Sequence, residues 1–133
     1  MSLVIDWEAM FKAAEAARSR AYARYSKFQV GAALACADGS IISGCNVENA
    51  SYGLTICAER NAIAHMVNEG QKLIAVAIVV DSKNPTPPCG MCRQVMAEFG
   101  AAAMEVRSRN LAGIEERYTL AALLPHAFTA EFF

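Results

Sequence analysis

The sequence predicts an α/β sandwich around one sheet, and three observations carry that expectation. Residues 73–80 (LIAVAIVV) are apolar without a break, as in a strand covered on both faces. Runs with apolar residues at three- and four-residue steps alternate along the chain with short strand-like runs. The length of 133 residues suits a single core, and no internal repeat or low-complexity stretch divides it, so 1–133 is expected to be one domain.

The elements follow in order. Residues 6–22 form the first helix candidate: Asp6 can cap its first turn, and Met10, Ala13, Ala14, Ala17 and Ala21 share one stripe. Trp7 and Phe11 are expected to be packing anchors. Strands at 28–36 and 40–46 are joined by a turn at Asp38-Gly39. Gly31, Ala32, Ala33 and Ala35 are small for strand residues, which lets a helix or a ligand come close. A helix over 57–68 ends near Gly70, with Ala62, Ile63, Met66 and Val67 on its buried face. Strand 73–80 is followed by Pro85, Pro87 and Pro88, then by a helix over 89–99 with Pro88 in its first turn. Residues 103–108 return as a strand, and Thr119 caps a short helix through Leu124. The connections suggest parallel pairing toward the C-terminal half.

Composition narrows the function classes. The chain is 55% hydrophobic and 19% charged, with a formal net charge of −1. So much apolar content in so small a domain points to self-association. No basic block supplies the positive footprint of a nucleic-acid binder. No apolar run approaches the roughly 18 residues of a membrane span, and no signal-peptide pattern opens the chain. Five cysteines, two of them in a Cys-x-x-Cys pair, suit a reducing compartment, so a cytoplasmic location is expected.

The chemistry concentrates in Cys57-Ala58-Glu59 and Pro88-Cys89-Gly90-Met91-Cys92. Cys-x-x-Cys alone fits a redox pair, half of a structural zinc site, or two buried thiols. Here both cysteine-bearing segments fall at predicted helix starts, where free amide hydrogens and the helix dipole favour thiolates. Three thiolates would leave a zinc ion with one open position; a structural site closes that position with a fourth protein ligand, and a catalytic site keeps it for water. Candidates for a fourth ligand are poor. His65 lies eight residues along the helix, about 12 Å from Cys57 along the axis. His126 follows Pro125 and could only fold back, and Cys36 and Cys45 read as small buried hydrophobes. Arg60 could offset the charge of the sulfurs or form an ordinary salt bridge, and Arg93 is a weaker candidate for the same role.

These segments resemble the cytidine deaminases, in the small homotetrameric form that binds zinc through three cysteines. The resemblance is carried by Cys57-Ala58-Glu59-Arg60 and Pro88-Cys89-Gly90-Met91-Cys92-Arg93-Gln94. It is strengthened by Phe28–Leu34 and Gly44–Ala50, and it runs from about Tyr22 to Pro125. It implies a three-layer α-β-α sandwich around a mixed five-stranded sheet, forming a single catalytic domain. It also implies Zn²⁺ on Cys57, Cys89 and Cys92, with Glu59 as the proton shuttle. Asn46 and Glu48 would hold the ribose 3′-hydroxyl, and Phe28 would line the nucleoside pocket. The Ala58 amide and the Cys89 carbonyl would orient the pyrimidine edge, and Phe128 would come from a neighbouring subunit. The implied activity is hydrolytic deamination of free cytidine and deoxycytidine in pyrimidine salvage. Two positions depart from the family pattern: Arg24 stands where proline is familiar, and Ile56 where a small polar residue is common. A blasticidin-type deaminase, a non-catalytic four-ligand zinc domain and a Cys89/Cys92 redox pair are the competing readings.

Overall fold

The computed structural model describes residues 4–133. The chain runs α1 (Trp7–Arg18), β1 (Val30–Cys36), β2 (Ile41–Cys45), α2 (Ala58–Asn68), β3 (Leu73–Val80), α3 (Gly90–Phe99), β4 (Glu105–Asn110), β5 (Glu115–Thr119) and α4 (Leu120–Leu123). Short 3-10 turns lie at Tyr52–Leu54 and Ala130–Phe132. The five strands form one sheet in the order β2-β1-β3-β4-β5. It is mixed: β3 and β4 pair in parallel, and the other neighbours are antiparallel.

Strand periodicity explains the three layers. Ala32, Leu34 and Cys36 of β1, with Val76, Ile78 and Val80 of β3, face a core shared with Ala62, Ile63 and Met66 of α2 and Cys92 and Met96 of α3. The alternate residues Ala33, Ala35, Ala75, Ala77 and Val79 face Met10, Phe11 and Ala14 of α1. β3 is therefore apolar throughout because both of its faces are covered, as its composition predicts. No helix of the described residues is long and apolar enough to cross a membrane.

Two glycines set how closely the helices sit. A Cβ on Gly31 would lie 1.8 Å from the Ala14 carbonyl oxygen, so α1 rests on bare β1 backbone. A Cβ on Gly44 would lie 2.6 Å from the Ala62 nitrogen and 2.9 Å from the Ala58 oxygen, so α2 rests on β2 in the same way. Asn61 adds a clasp, its Nδ2 donating to the Cys45 carbonyl at 2.8 Å. At the far side of the sheet, Arg107 and Arg109 lie over the rings of Trp7 and Phe11, at 4.0 and 3.9 Å from the centroids. Arg109 also bridges Glu8 and Glu115, tying α1 to β4 and β5.

Several expectations need correction. The first helix ends at Arg18 rather than at residue 22: Ser19 Oγ bonds back to Ala16, and Tyr22 instead bridges Val47 through the Asn46 carbonyl. Ala21 accordingly leaves the helical stripe. β4 is shifted to Glu105–Asn110 from the expected 103–108. Only one strand pair toward the C-terminus is parallel, because the short β4–β5 connection folds back as a hairpin. Val67 is exposed, since it points to the solvent side of α2. Pro88 precedes Cys89, the N-cap of α3, and so stands outside its first turn. The caps at Asp6 and Thr119 form as expected, accepting from Ala9 at 3.1 Å and Ala122 at 3.2 Å.

Candidate active site

The N-termini of α2 and α3 meet on the same face of the sheet, and each begins with a cysteine. Cys57 is the N-cap of α2, and Cys89 is the N-cap of α3, with Cys92 in that helix's first turn. Neither cysteine caps its helix with a side-chain hydrogen bond, which leaves the sulfurs free for another partner. The Sγ–Sγ distances are 3.8 Å for Cys57–Cys89 and 3.4 Å for Cys89–Cys92, and all three sulfurs lie within 4.8 Å of one another. Three corners of a tetrahedron with zinc–sulfur arms of about 2.3 Å would be about 3.8 Å apart, so the donor set fits the ion.

Among the described residues this cluster stops at three ligands. His65 is half exposed and pairs with Glu69 at 3.5 Å. His126 lines a hollow of about 470 Å³ beneath the C-terminal segment, together with Ala97 and Leu120. That hollow is larger than the one beside the sulfurs but lacks its reactive groups. Cys36 is fully buried in the core, and Cys45 is partly buried at the end of β2.

The electrostatics favour a metal-binding thiolate. Hydrogen bonding from Cys92, together with the Arg60 guanidinium and Cys89, outweighs burial and pulls the Cys57 thiol down to about 5. Arg60 Nη2 lies 3.6 Å from the Cys57 sulfur. Cys92 is pushed upward by its hydrogen bond to Cys57, by burial and by the charge of Glu59, so in a shared proton network it keeps the proton. Arg93 does not face the sulfurs. Its Nε donates to the Pro88 carbonyl at 2.7 Å and its Nη1 to the Leu123 carbonyl at 2.9 Å, bracing the turn into Cys89 against α4.

Glu59, the second residue of α2, is 5% exposed. Burial first, and then the neighbouring Cys57 charge, push its carboxyl up to about 7. It lines a cavity of about 220 Å³ together with Cys57, Ala58 and Cys89. The other walls include Phe28, Asn46 and Glu48. Cys92 and Arg60 are not among the cavity's lining residues. Phe128 is also outside it, exposed and packed on Phe132 and Phe133, with its carbonyl accepting from Gln94 Nε2 at 2.8 Å.

Asn46 and Glu48 are already engaged with the chain before β1. Asn46 Oδ1 accepts from the Val30 amide at 2.9 Å, and its Nδ2 donates to the Phe28 carbonyl at 2.8 Å. Glu48 accepts from the amides of Tyr25 and Ser26, both at 3.0 Å, and from the Ser26 hydroxyl. Ser26, Thr55, Thr86 and Pro87 also line the cavity and were not singled out from the sequence. Their placement depends on loop geometry, and only their closeness in sequence to Phe28, Cys57 and Cys89 hints at it.

Residues 5–107 match the model of the cytidine and deoxycytidylate deaminase zinc-binding region. The cytidine deaminase of Halalkalibacterium halodurans is 53% identical over 128 residues, spanning 96% of this chain and 97% of its own. This chain belongs to the cytidine deaminase family. The crystal structure of cytidine deaminase from Burkholderia pseudomallei superposes with a TM-score of 0.89 at 46% identity, covering 93% of this chain and all of that one. A blasticidin-S deaminase of Bacillus cereus is more distant, 30% identical over 113 residues, or 78% of this chain and 79% of its own. The chain is thus a zinc-dependent deaminase of cytidine-type substrates, built on the three-layer α/β/α fold.

Proposed function

We propose that residues 1–133 form one catalytic domain that converts free cytidine and deoxycytidine to uridine and deoxyuridine, releasing ammonia, in cytoplasmic pyrimidine salvage. The observation that carries this reading is a buried carboxyl, Glu59, in one cavity with Cys57 and Cys89 and with the polar pair Asn46 and Glu48. Cys57, Cys89 and Cys92 would hold the zinc ion. When bound, zinc supplies a Lewis acid that makes water at its open position more acidic.

Glu59 then moves the protons. Buried in the cavity beside Cys57 and Cys89, its carboxyl can accept a proton and return it within one cycle. It takes one from the attacking water and delivers it to N3 of the ring, then takes the second from the resulting C4 hydroxyl and delivers it to the departing amine. The oxygen of water ends on C4, the C4–N bond breaks, and ammonia leaves. The Ala58 amide, which as the first residue of α2 has no partner within its own helix, and the Cys89 carbonyl orient the pyrimidine edge. Phe28 supplies a ring face for the base.

Glu48 accepts the sugar 3′-hydroxyl beside Asn46. Hydrogen bonds from the Ser26 hydroxyl and amide hold its carboxyl below the ordinary range, so it is an anion at neutral pH. A buried anion there repels a 3′-phosphate, which supports a free nucleoside over a polynucleotide substrate. The assembly is a homotetramer in which Phe128 completes a neighbour's site.

The decisive variant is Glu59→Gln. It should keep its zinc by metal analysis while ammonia release from cytidine falls about 10²–10⁴-fold; near-normal turnover with zinc bound would refute the proton-shuttle role. Cytidine and deoxycytidine should outrun cytosine, dCMP and a cytosine-containing oligonucleotide. The kinship to a blasticidin-S deaminase makes one further comparison useful: cytidine should win a direct competition with blasticidin S.

A further inference from the structure

One hydroxyl joins the acidic and the aromatic parts of the cavity wall. Ser26 Oγ donates to Glu48 Oε2 and accepts the backbone N–H of Phe28 at 3.0 Å. The other oxygen, Oε1, accepts both the Tyr25 and the Ser26 amides, each at 3.0 Å. The segment is wound tightly enough for this by Lys27, whose φ of 61° lies in the left-handed region and whose amide donates to Ala23 at 2.9 Å. Asn46 fixes the same segment from its other end, between Phe28 and Val30.

The donor count makes Ser26 specific. An ionised carboxylate offers about four acceptor positions, two on each oxygen. Two amides fill Oε1 and the Ser26 hydroxyl takes one position on Oε2. The remaining acceptor position is therefore on the oxygen that Ser26 holds.

We propose that Ser26 is a positioning residue for sugar recognition: it fixes the open acceptor position of Glu48 Oε2 relative to the Phe28 ring, so that a substrate hydroxyl is selected there. This rests on Glu48 being the acceptor of the 3′-hydroxyl. Without the Ser26 hydroxyl, Oε2 is no longer aimed and the Phe28 amide loses its acceptor. Ground-state and transition-state binding of the sugar should weaken together, while the chemistry at C4 is left to Glu59.

The test compares cytidine with 3′-deoxycytidine, which lacks only the selected hydroxyl, in the zinc-loaded wild type and in Ser26→Ala, Ser26→Thr and Glu48→Gln. Ser26→Ala should raise KM for cytidine about tenfold with kcat within about threefold, and should lower the preference for cytidine over 3′-deoxycytidine about tenfold. Ser26→Thr keeps a hydroxyl and should retain the preference. The proposal is overturned if Ser26→Ala keeps the wild-type preference, if it penalises both sugars equally, or if Ser26→Thr loses the preference as fully as alanine does. Glu48→Gln separates the two levels. If it keeps the preference, Glu48 is not the hydroxyl acceptor and the inference falls with that reading. If it removes the preference and Ser26→Ala does not, the role of Ser26 alone is wrong.

Discussion

The guanidinium of Arg60 stands 3.6 Å from the Cys57 sulfur, next to the carboxyl of Glu59 in sequence, and its charge favours the thiolate form. Zinc binds only the deprotonated thiol, so protons and metal compete for Cys57. Removing the guanidinium raises the thiol pKa, and acid should then displace zinc at a higher pH. For Arg60→Gln the midpoint of zinc loss should rise by roughly half to one pH unit, read by a chromogenic chelator across a pH series. Glu48 gives a second pH signature. Its folded pKa is depressed, chiefly by the Ser26 hydroxyl and amide, below an ordinary value of 4.5. Its stabilising contribution is therefore complete above about pH 4.5 and is lost as pH falls through the folded value. Thermal melts should show a shallower acid-side decline for Glu48→Gln than for the wild type; parallel curves would count against the ionised carboxylate. The grouping of Cys57, Cys89 and Cys92, with Glu59 beside them, was legible from sequence because these residues sit in two short motifs at helix starts. Arg93 was not, since only the folded chain shows that its guanidinium is committed to the carbonyls of Pro88 and Leu123.

At the scale of elements, the seat of α2 on β2 decides where Cys57, Ala58 and Glu59 stand. Gly44 allows that seat, and Gly31 allows the equivalent seat of α1 on the opposite face. The two glycines should therefore separate stability from metal binding. Gly31→Ala forces α1 away from the sheet and should cost about 1–3 kcal/mol in chemical denaturation, with zinc affinity preserved in the folded protein. Gly44→Ala lifts the helix that begins at the zinc site, so it should lower both stability and zinc affinity, the latter measured by chelator competition. Equal zinc affinity in the two variants would show that the α2 seat does not position the ligands. The small residues of β1 pointed to a close approach, and the alternating faces of β1 and β3 made the three layers readable. β5 escaped because Glu115, Glu116, Arg117 and Thr119 carry no apolar alternation; only Tyr118 packs inward from this edge strand. The end of α1 is not legible in the sequence because Ala21 continues the helical stripe, while the backbone bonds of Tyr22 to Asn46 and Glu48 that stop the helix come from residues far along the chain.

For the whole molecule, the outer surface bears on assembly. Tyr22, Tyr25, Val47, Tyr52, Leu54, Ile56 and Met91 are all exposed, and Tyr25 and Tyr52 already meet edge to face at 6.5 Å. The high apolar fraction seen in the sequence is thus only partly absorbed by the two cores. Covering such surface is what subunit contacts do, and light scattering should give the mass of four chains. Phe128 makes a sharper test of shared sites. Within one chain it stands outside the cavity, held by Gln94 through its carbonyl with its ring exposed. On the proposed shared-site reading, Glu59→Gln would disable a site through its own residue, whereas Phe128→Ala would disable the site of a neighbour. When the two variants are unfolded together and reassembled with zinc, some sites combine the Glu59 of one subunit with the Phe128 of another. Activity should rise above the sum of the separately reassembled variants, and it should depend on the mixing ratio with a maximum near equal proportions. If Phe128 served only its own chain, every site in the mixture would carry one lesion or the other. The activity would then follow a straight line between the two parents at every ratio.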